Sequence, residues 1–155
     1  MTTNTASGTN IHEIADGIYR INTPVSLPNG EAFNFNQYLL VDEQPLLFHT
    51  GARPLFPLVR EAVATAMPPE RLRYIGLSHF EADECGSMNE WLAIAPGAVP
   101  LASRIAAMVP VVPQADRAPH AMADGKRLVL GRHTVQWQDT PHVPHGWDVV
   151  FRKTP

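Results

Sequence analysis

Ser78-His79-Phe80-Glu81-Ala82-Asp83-Glu84-Cys85-Gly86-Ser87 is the stretch that decides the fold. It follows a short apolar run, Leu72 to Leu77, which reads as a buried strand, so its polar residues fall just past a strand end. Sites on α/β scaffolds are commonly built there. His79, Glu81 and Asp83 stand at alternate positions. In an extended or loosely coiled loop, alternate residues can point the same way, which would bring one imidazole and two carboxylates together. Such a donor set is hard. It suits iron or manganese better than a sulfur-rich site would, and it leaves zinc open.

A second polar cluster lies downstream, Thr140-Pro141-His142-Val143-Pro144-His145-Gly146-Trp147-Asp148. Two histidines flank a stiff Val-Pro step, and Gly146 allows close backbone approach. His79, Glu81 and one of these histidines would form a two-histidine, one-carboxylate set. That set binds non-haem Fe(II) and leaves positions open for water or a small gas.

Working outward, the chain reads as strands, then helix–strand units, then strands. Ile11 to Ile14 and Gly17 to Ile21 are expected to pair around an Asp16-Gly17 turn. Asn36 to Val41 and Pro45 to His49 form a second hairpin about Asp42 to Gln44. Leu55, Leu58, Val59, Ala62, Val63 and Ala66 recur at helical spacing, and Pro68-Pro69 stops that helix. A second helix covers Met88 to Ala95, Val99 to Ala102 is a strand, and Ser103 can cap a helix reaching Met108. Arg127 to Leu130 and His133 to Trp137 form a hairpin, and Val149 to Phe151 starts one more strand. The order implies an α+β architecture, a mixed sheet with helices on its outer face.

Composition narrows the functions. The 155 residues are 45% hydrophobic and 17% charged, with 12 Lys and Arg against 15 Asp and Glu, a formal net charge of −3. No basic face is advertised, so nucleic acid and anionic membranes are poor partners. No apolar run approaches the length that spans a bilayer. Residues 1–10 are polar, lack an apolar signal core and read as a flexible tail, which leaves residues 11–155 as the domain. The single cysteine, Cys85, fits a reducing, cytoplasmic setting and reads as a small buried thiol. His12, His120 and His133 have no partner at ligand spacing, and no Gly-rich phosphate loop is present.

From about Ile11 to Asp148 the chain resembles the metallo-β-lactamase superfamily, and within it the flavodiiron-like, oxygen-binding di-iron branch. The resemblance is carried by Asp16-Gly17-Ile18-Tyr19, Asn36 to Val41, Leu47-Phe48-His49-Thr50-Gly51, the segment His79 to Ser87, and Thr140-Pro141 through Asp148. Hydrolases of the superfamily typically hold a second histidine where Glu81 stands, and a carboxylate there marks the iron-binding branch. The resemblance implies an αβ/βα sandwich, of which this chain would supply the first half to two-thirds. It implies that His79, Glu81 and His145 hold one metal, with His142 as the alternative to His145, and that Asp83 reaches a second.

Three departures stand out. Glu84 replaces a frequent histidine. His49 replaces the aspartate of the usual Asp-Thr-Gly strand end and reads as a satisfied polar residue. Nothing after Asp148 supplies the later aspartate and histidine, so the domain reads as incomplete at its C-terminal end. An incomplete sandwich would leave an apolar sheet face and a strand edge open.

The implied function is a non-haem iron protein, mononuclear or dinuclear, that binds or reduces dioxygen or nitric oxide. It would draw electrons from a separate donor, since no flavin site is legible in this chain. Zinc or manganese are alternative metals. A metal-dependent hydrolase acting on a small-molecule substrate is the second reading, and a non-catalytic remnant the third. A homo-oligomer is compatible with all three.

Overall fold

The computed structural model describes residues 1–111, 113–143 and 150–153. Eleven strands form two sheets among these residues. β1 (Thr2–Asn4), β2 (Thr9–Ala15), β3 (Ile18–Ser26), β4 (Ala32–Leu40), β5 (Leu46–Phe48), β6 (Tyr74–Gly76), β7 (Val99–Ser103) and β8 (His120–Met122) build one sheet. Its spatial order is the chain order, β1 through β8. Strands β1 to β5 are antiparallel to their neighbours, and β5 to β8 run parallel. β9 (Arg127–Val129), β10 (Thr134–Asp139) and β11 (Val150–Lys153) form a second, antiparallel sheet.

The period-two alternation of strands sorts the central side chains into two cores. In the β4–β5 pair, Leu39 faces Leu47 and Leu40 faces Leu46. Leu39 and Leu47 join the layer under helices α1 (Phe56–Ala66) and α3 (Met88–Ile94). That layer takes Val59, Ala62 and Val63 from α1 and Met88, Trp91 and Leu92 from α3. Phe56 and Trp91 meet edge to face, with ring centroids 5.2 Å apart. Leu40 and Leu46 point the other way, to Leu101, Met122, Leu130, Val135, Trp137 and Val150. The architecture is therefore helices on a large mixed sheet on a small sheet, the α+β arrangement expected.

Several sequence expectations need correction. Residues 1–10 do not form a mere tail: Thr2 and Asn4 pair with Asn10 and Thr9, and the Met1 ammonium donates to the Ile11 carbonyl at 2.7 Å. The apolar sheet face expected to lie open is covered, because β9 to β11 bury Leu40, Leu46, Leu101 and Met122 to 1% exposure or less. His120–Met122, for which the sequence suggested no strand, pairs in parallel with β7. The helix after Ser103 is a three-residue α turn, α4 (Arg104–Ala106), followed by a π-helical segment at Ala107–Val111. Ser103 caps it as expected, its Oγ accepting the Ala106 N–H at 3.1 Å.

Candidate metal centre

The candidate ligands sit at the C-terminal end of β6. β6 ends at Gly76, and the chain bends at Ser78 and His79 before Glu81, whose own backbone is extended (φ −124°, ψ 161°), leads into α2 (Ala82–Cys85). His79 and Glu81 still meet across this bent loop, which then gives way to a helical turn. That turn swings Asp83 and Glu84 back toward Glu81 through the Glu84 and Cys85 N–H groups, which both donate to the Glu81 carbonyl, at 3.1 and 2.9 Å. Gly86 closes the turn against the Ala52–Arg53 backbone. A Cβ at Gly86 would lie 3.2 Å from the Ala52 Cα and 2.3 Å from the Ala82 carbonyl, so only glycine fits.

The geometry brings together part of the expected set and adds a member. His79 Nε2 lies 3.0 Å from Glu81 Oε1, with the imidazole side chain only 13% exposed. One carboxylate oxygen each from Glu81, Asp83 and Glu84 lie within 4.8 Å of one another. Glu84 was not counted as a ligand in the sequence. The signal that could have found it is the one-turn helix, since Glu84 follows Glu81 by three residues and i, i+3 neighbours share a face. His142 is exposed, at a left-handed backbone position (φ 64°), and does not join the carboxylate group. His145, the preferred ligand, lies outside the described residues, as do Trp147 and Asp148.

Three carboxylates at this separation repel one another, and the repulsion appears at Glu84. Burial first, then a hydrogen bond to Asp83, then the charges of Asp83 and Glu81 push its carboxyl up to about 8. Its Oε2 is buried without a hydrogen-bond partner among the described residues. An orphaned buried carboxylate oxygen beside two further carboxylates and an imidazole is a donor set that a hard divalent cation would satisfy. A cleft of about 330 Å³ opens beside Glu81, walled by Phe80, Cys85 and Met88, with the Arg53–Glu90 ion pair on its lining.

The family model described as "ODP family beta lactamase" matches residues 33–146. The chain belongs to this family. A curated Nostoc sp. protein, named as a diflavin flavoprotein (A 2), is 29% identical to the ODP-family chain over 140 residues. The match covers 87% of this chain and 24% of that protein, so the chain spans about a quarter of the relative's length.

Three solved structures share its fold. Rubredoxin oxygen:oxidoreductase from Desulfovibrio gigas superposes with a TM-score of 0.82 at 20% identity, covering 94% of this chain and 38% of that one. A flavo di-iron protein from Thermotoga maritima gives 0.82 at 17% identity over 94% and 40%. The flavodiiron protein from Giardia intestinalis gives 0.80 at 18% identity over 94% and 38%. At these identities the likeness establishes the metallo-β-lactamase fold of the ODP-family chain. No helix among the described residues is long and apolar enough to cross a membrane.

Proposed function

We propose that this chain is the iron-holding part of a protein that binds or reduces dioxygen or nitric oxide. The observation that carries the reading is the carboxylate at 81, held 3.0 Å from the His79 imidazole and clustered with Asp83 and Glu84. In this reading His79 and Glu81 hold one metal together with a histidine of the 142–145 segment, His145 before His142, and Asp83 reaches a second. The names of the structural neighbours, a di-iron protein and an oxygen oxidoreductase, point the same way. Bound Fe(II) would supply open coordination positions for a diatomic gas and a centre able to change oxidation state.

The chain's own residues set the conditions for that chemistry. Glu81 and Asp83 bring negative charge to the site, which lowers the net charge of the metal and makes it a poorer generator of hydroxide than an imidazole-rich zinc site. This favours gas binding over hydrolysis. Electrons come from a separate donor in this proposal. The single cysteine keeps a cytoplasmic setting within the same proposal.

The test is competition between Fe(II) and Zn(II) under anaerobic conditions, read by elemental analysis of wild type and Glu81→His. The intrinsic affinity order already favours zinc, so the informative quantity is the change in ratio. Glu81→His is expected to shift the bound metal toward zinc by about tenfold or more, at least the effect of losing a group that merely supports a metal ligand. An unchanged ratio would show that Glu81 does not touch the metal, and the preference for gas chemistry would fall with it.

A further inference from the structure

The loop bearing His79, Glu81, Asp83 and Glu84 is gripped at both ends by one three-residue turn, His49-Thr50-Gly51, which follows β5. The far end is held through backbone groups and hydroxyls. The Thr50 N–H and Oγ both donate to the Glu84 carbonyl, at 2.6 and 3.0 Å. The Ser87 N–H donates to the Gly51 carbonyl at 3.0 Å, and the Ser87 Oγ to the Thr50 carbonyl at 2.8 Å. The near end is held through a side chain of the turn: His49 Nε2 and Ser78 Oγ share a 2.7 Å hydrogen bond, one residue before His79.

His49 is built for that reach. Its backbone is left-handed (φ 63°), a conformation that non-glycine residues adopt only when their surroundings demand it. Its N–H donates to the Gly76 carbonyl at 2.8 Å, which ties the turn to the end of β6. Its ring stacks on Phe48, with centroids 4.6 Å apart and planes 22° apart, so the imidazole plane is fixed. We propose that His49 is a positioning residue: through Ser78 it sets where the loop leaves β6, and so where His79 is presented.

The experiment uses the full chain with three variants, His49→Gly, Ser78→Ala and the double variant. His49→Gly keeps the left-handed backbone available and removes only the ring. Ser78→Ala is a conservative second route to the same loss. Amide hydrogen exchange in the metal-free chain is the first readout, and Fe(II) affinity, which rests on the proposed metal site, is the second. Amides from His79 to Glu84 should exchange at least about tenfold faster in each single variant, while those of β3 and β4 stay unchanged. Fe(II) binding should weaken by about 10- to 100-fold, the range seen when a group that holds a metal ligand in place is lost. The double variant should be no worse than either single one, because both remove the same bond.

Unchanged loop exchange would overturn the proposal, as would equal loosening of β3 and β4 or effects that multiply in the double variant. If the wild-type chain takes up no Fe(II) but its loop exchange responds as described, the metal reading fails and the positioning role of His49 stands.

Discussion

At the scale of single residues, Glu84 carries a charge conflict that pH exposes. Its ordinary value is 4.5, and in the folded chain it rises to about 8, through burial first and then through Asp83 and Glu81. The folded state thus binds this proton more tightly than the unfolded state. The stabilisation is complete below the unfolded value and disappears as pH rises through the folded one. In chelator-treated protein, the difference in urea midpoint between wild type and Glu84→Gln should grow from pH 5 to pH 8, with the glutamine variant the more stable at pH 8. Solvent screening of this half-buried group keeps the gain to about 1 kcal/mol. A constant difference across that range would show that Glu84 is not strained. His79 and Glu81 were legible in the sequence because they stand two apart just past a strand end, and their side chains meet although the loop bends at both. Glu84 was not, because a single helical turn changes the period from two to nearly four within three residues.

At the scale of elements, the second sheet is pinned to the first by a buried carboxylate. Asp42, in the turn after β4, has a side chain only 2% exposed. It accepts the Arg132 and His133 N–H groups at 3.1 and 2.8 Å and approaches the His133 Nδ1 to 2.6 Å. Burial pushes its carboxyl up, but the hydrogen bonds from His133, Glu43 and Arg132 outweigh that and hold it well below the usual carboxylate range. Gly131 makes the approach feasible, since a Cβ there would fall 2.2 Å from Asp42 Oδ1. Asp42→Ala should cost about 3–5 kcal/mol, because it leaves several buried donors unpaired. The Arg132–Asp16 pair beside it is exposed on both sides, 60% and 78%, so Asp16→Ala should cost under about 1 kcal/mol. Denaturant midpoints of the two variants decide the matter, and equal losses would remove Asp42 from its pinning role. The hairpins and α1 could be read from alternation and helical spacing. β1 and β8 could not: Thr-Thr-Asn and His-Ala-Met carry no alternating apolar pattern, and pairing with β2 and β7 makes them strands.

At the scale of the whole molecule, the two cores are unequal. The helix-side core collects side chains from both helices and from most of the large sheet, whereas the core between the sheets rests on a handful, with Trp137 its largest member. Trp137→Ala should therefore cost about 3–5 kcal/mol and should release β9, β10 and β11 to hydrogen exchange before β3 and β4 respond. Simultaneous release of both sheets would show that they open as one cooperative unit.

The match between spatial and chain order in the large sheet also has a temporal meaning. Each strand from β2 to β8 docks on the strand immediately before it, so a chain emerging from a ribosome can zip the sheet from its first edge without waiting for distant sequence. The contacts that must wait are those of Asp42 with His133 and Asp16 with Arg132, which close loops of 91 and 116 residues. Long closures are entropically costly and slow. On this topology, docking of the small sheet is expected to be the last event of folding. Until it happens, the apolar face formed by Leu40, Leu46, Leu101 and Met122 stands open to chaperones and to neighbouring chains.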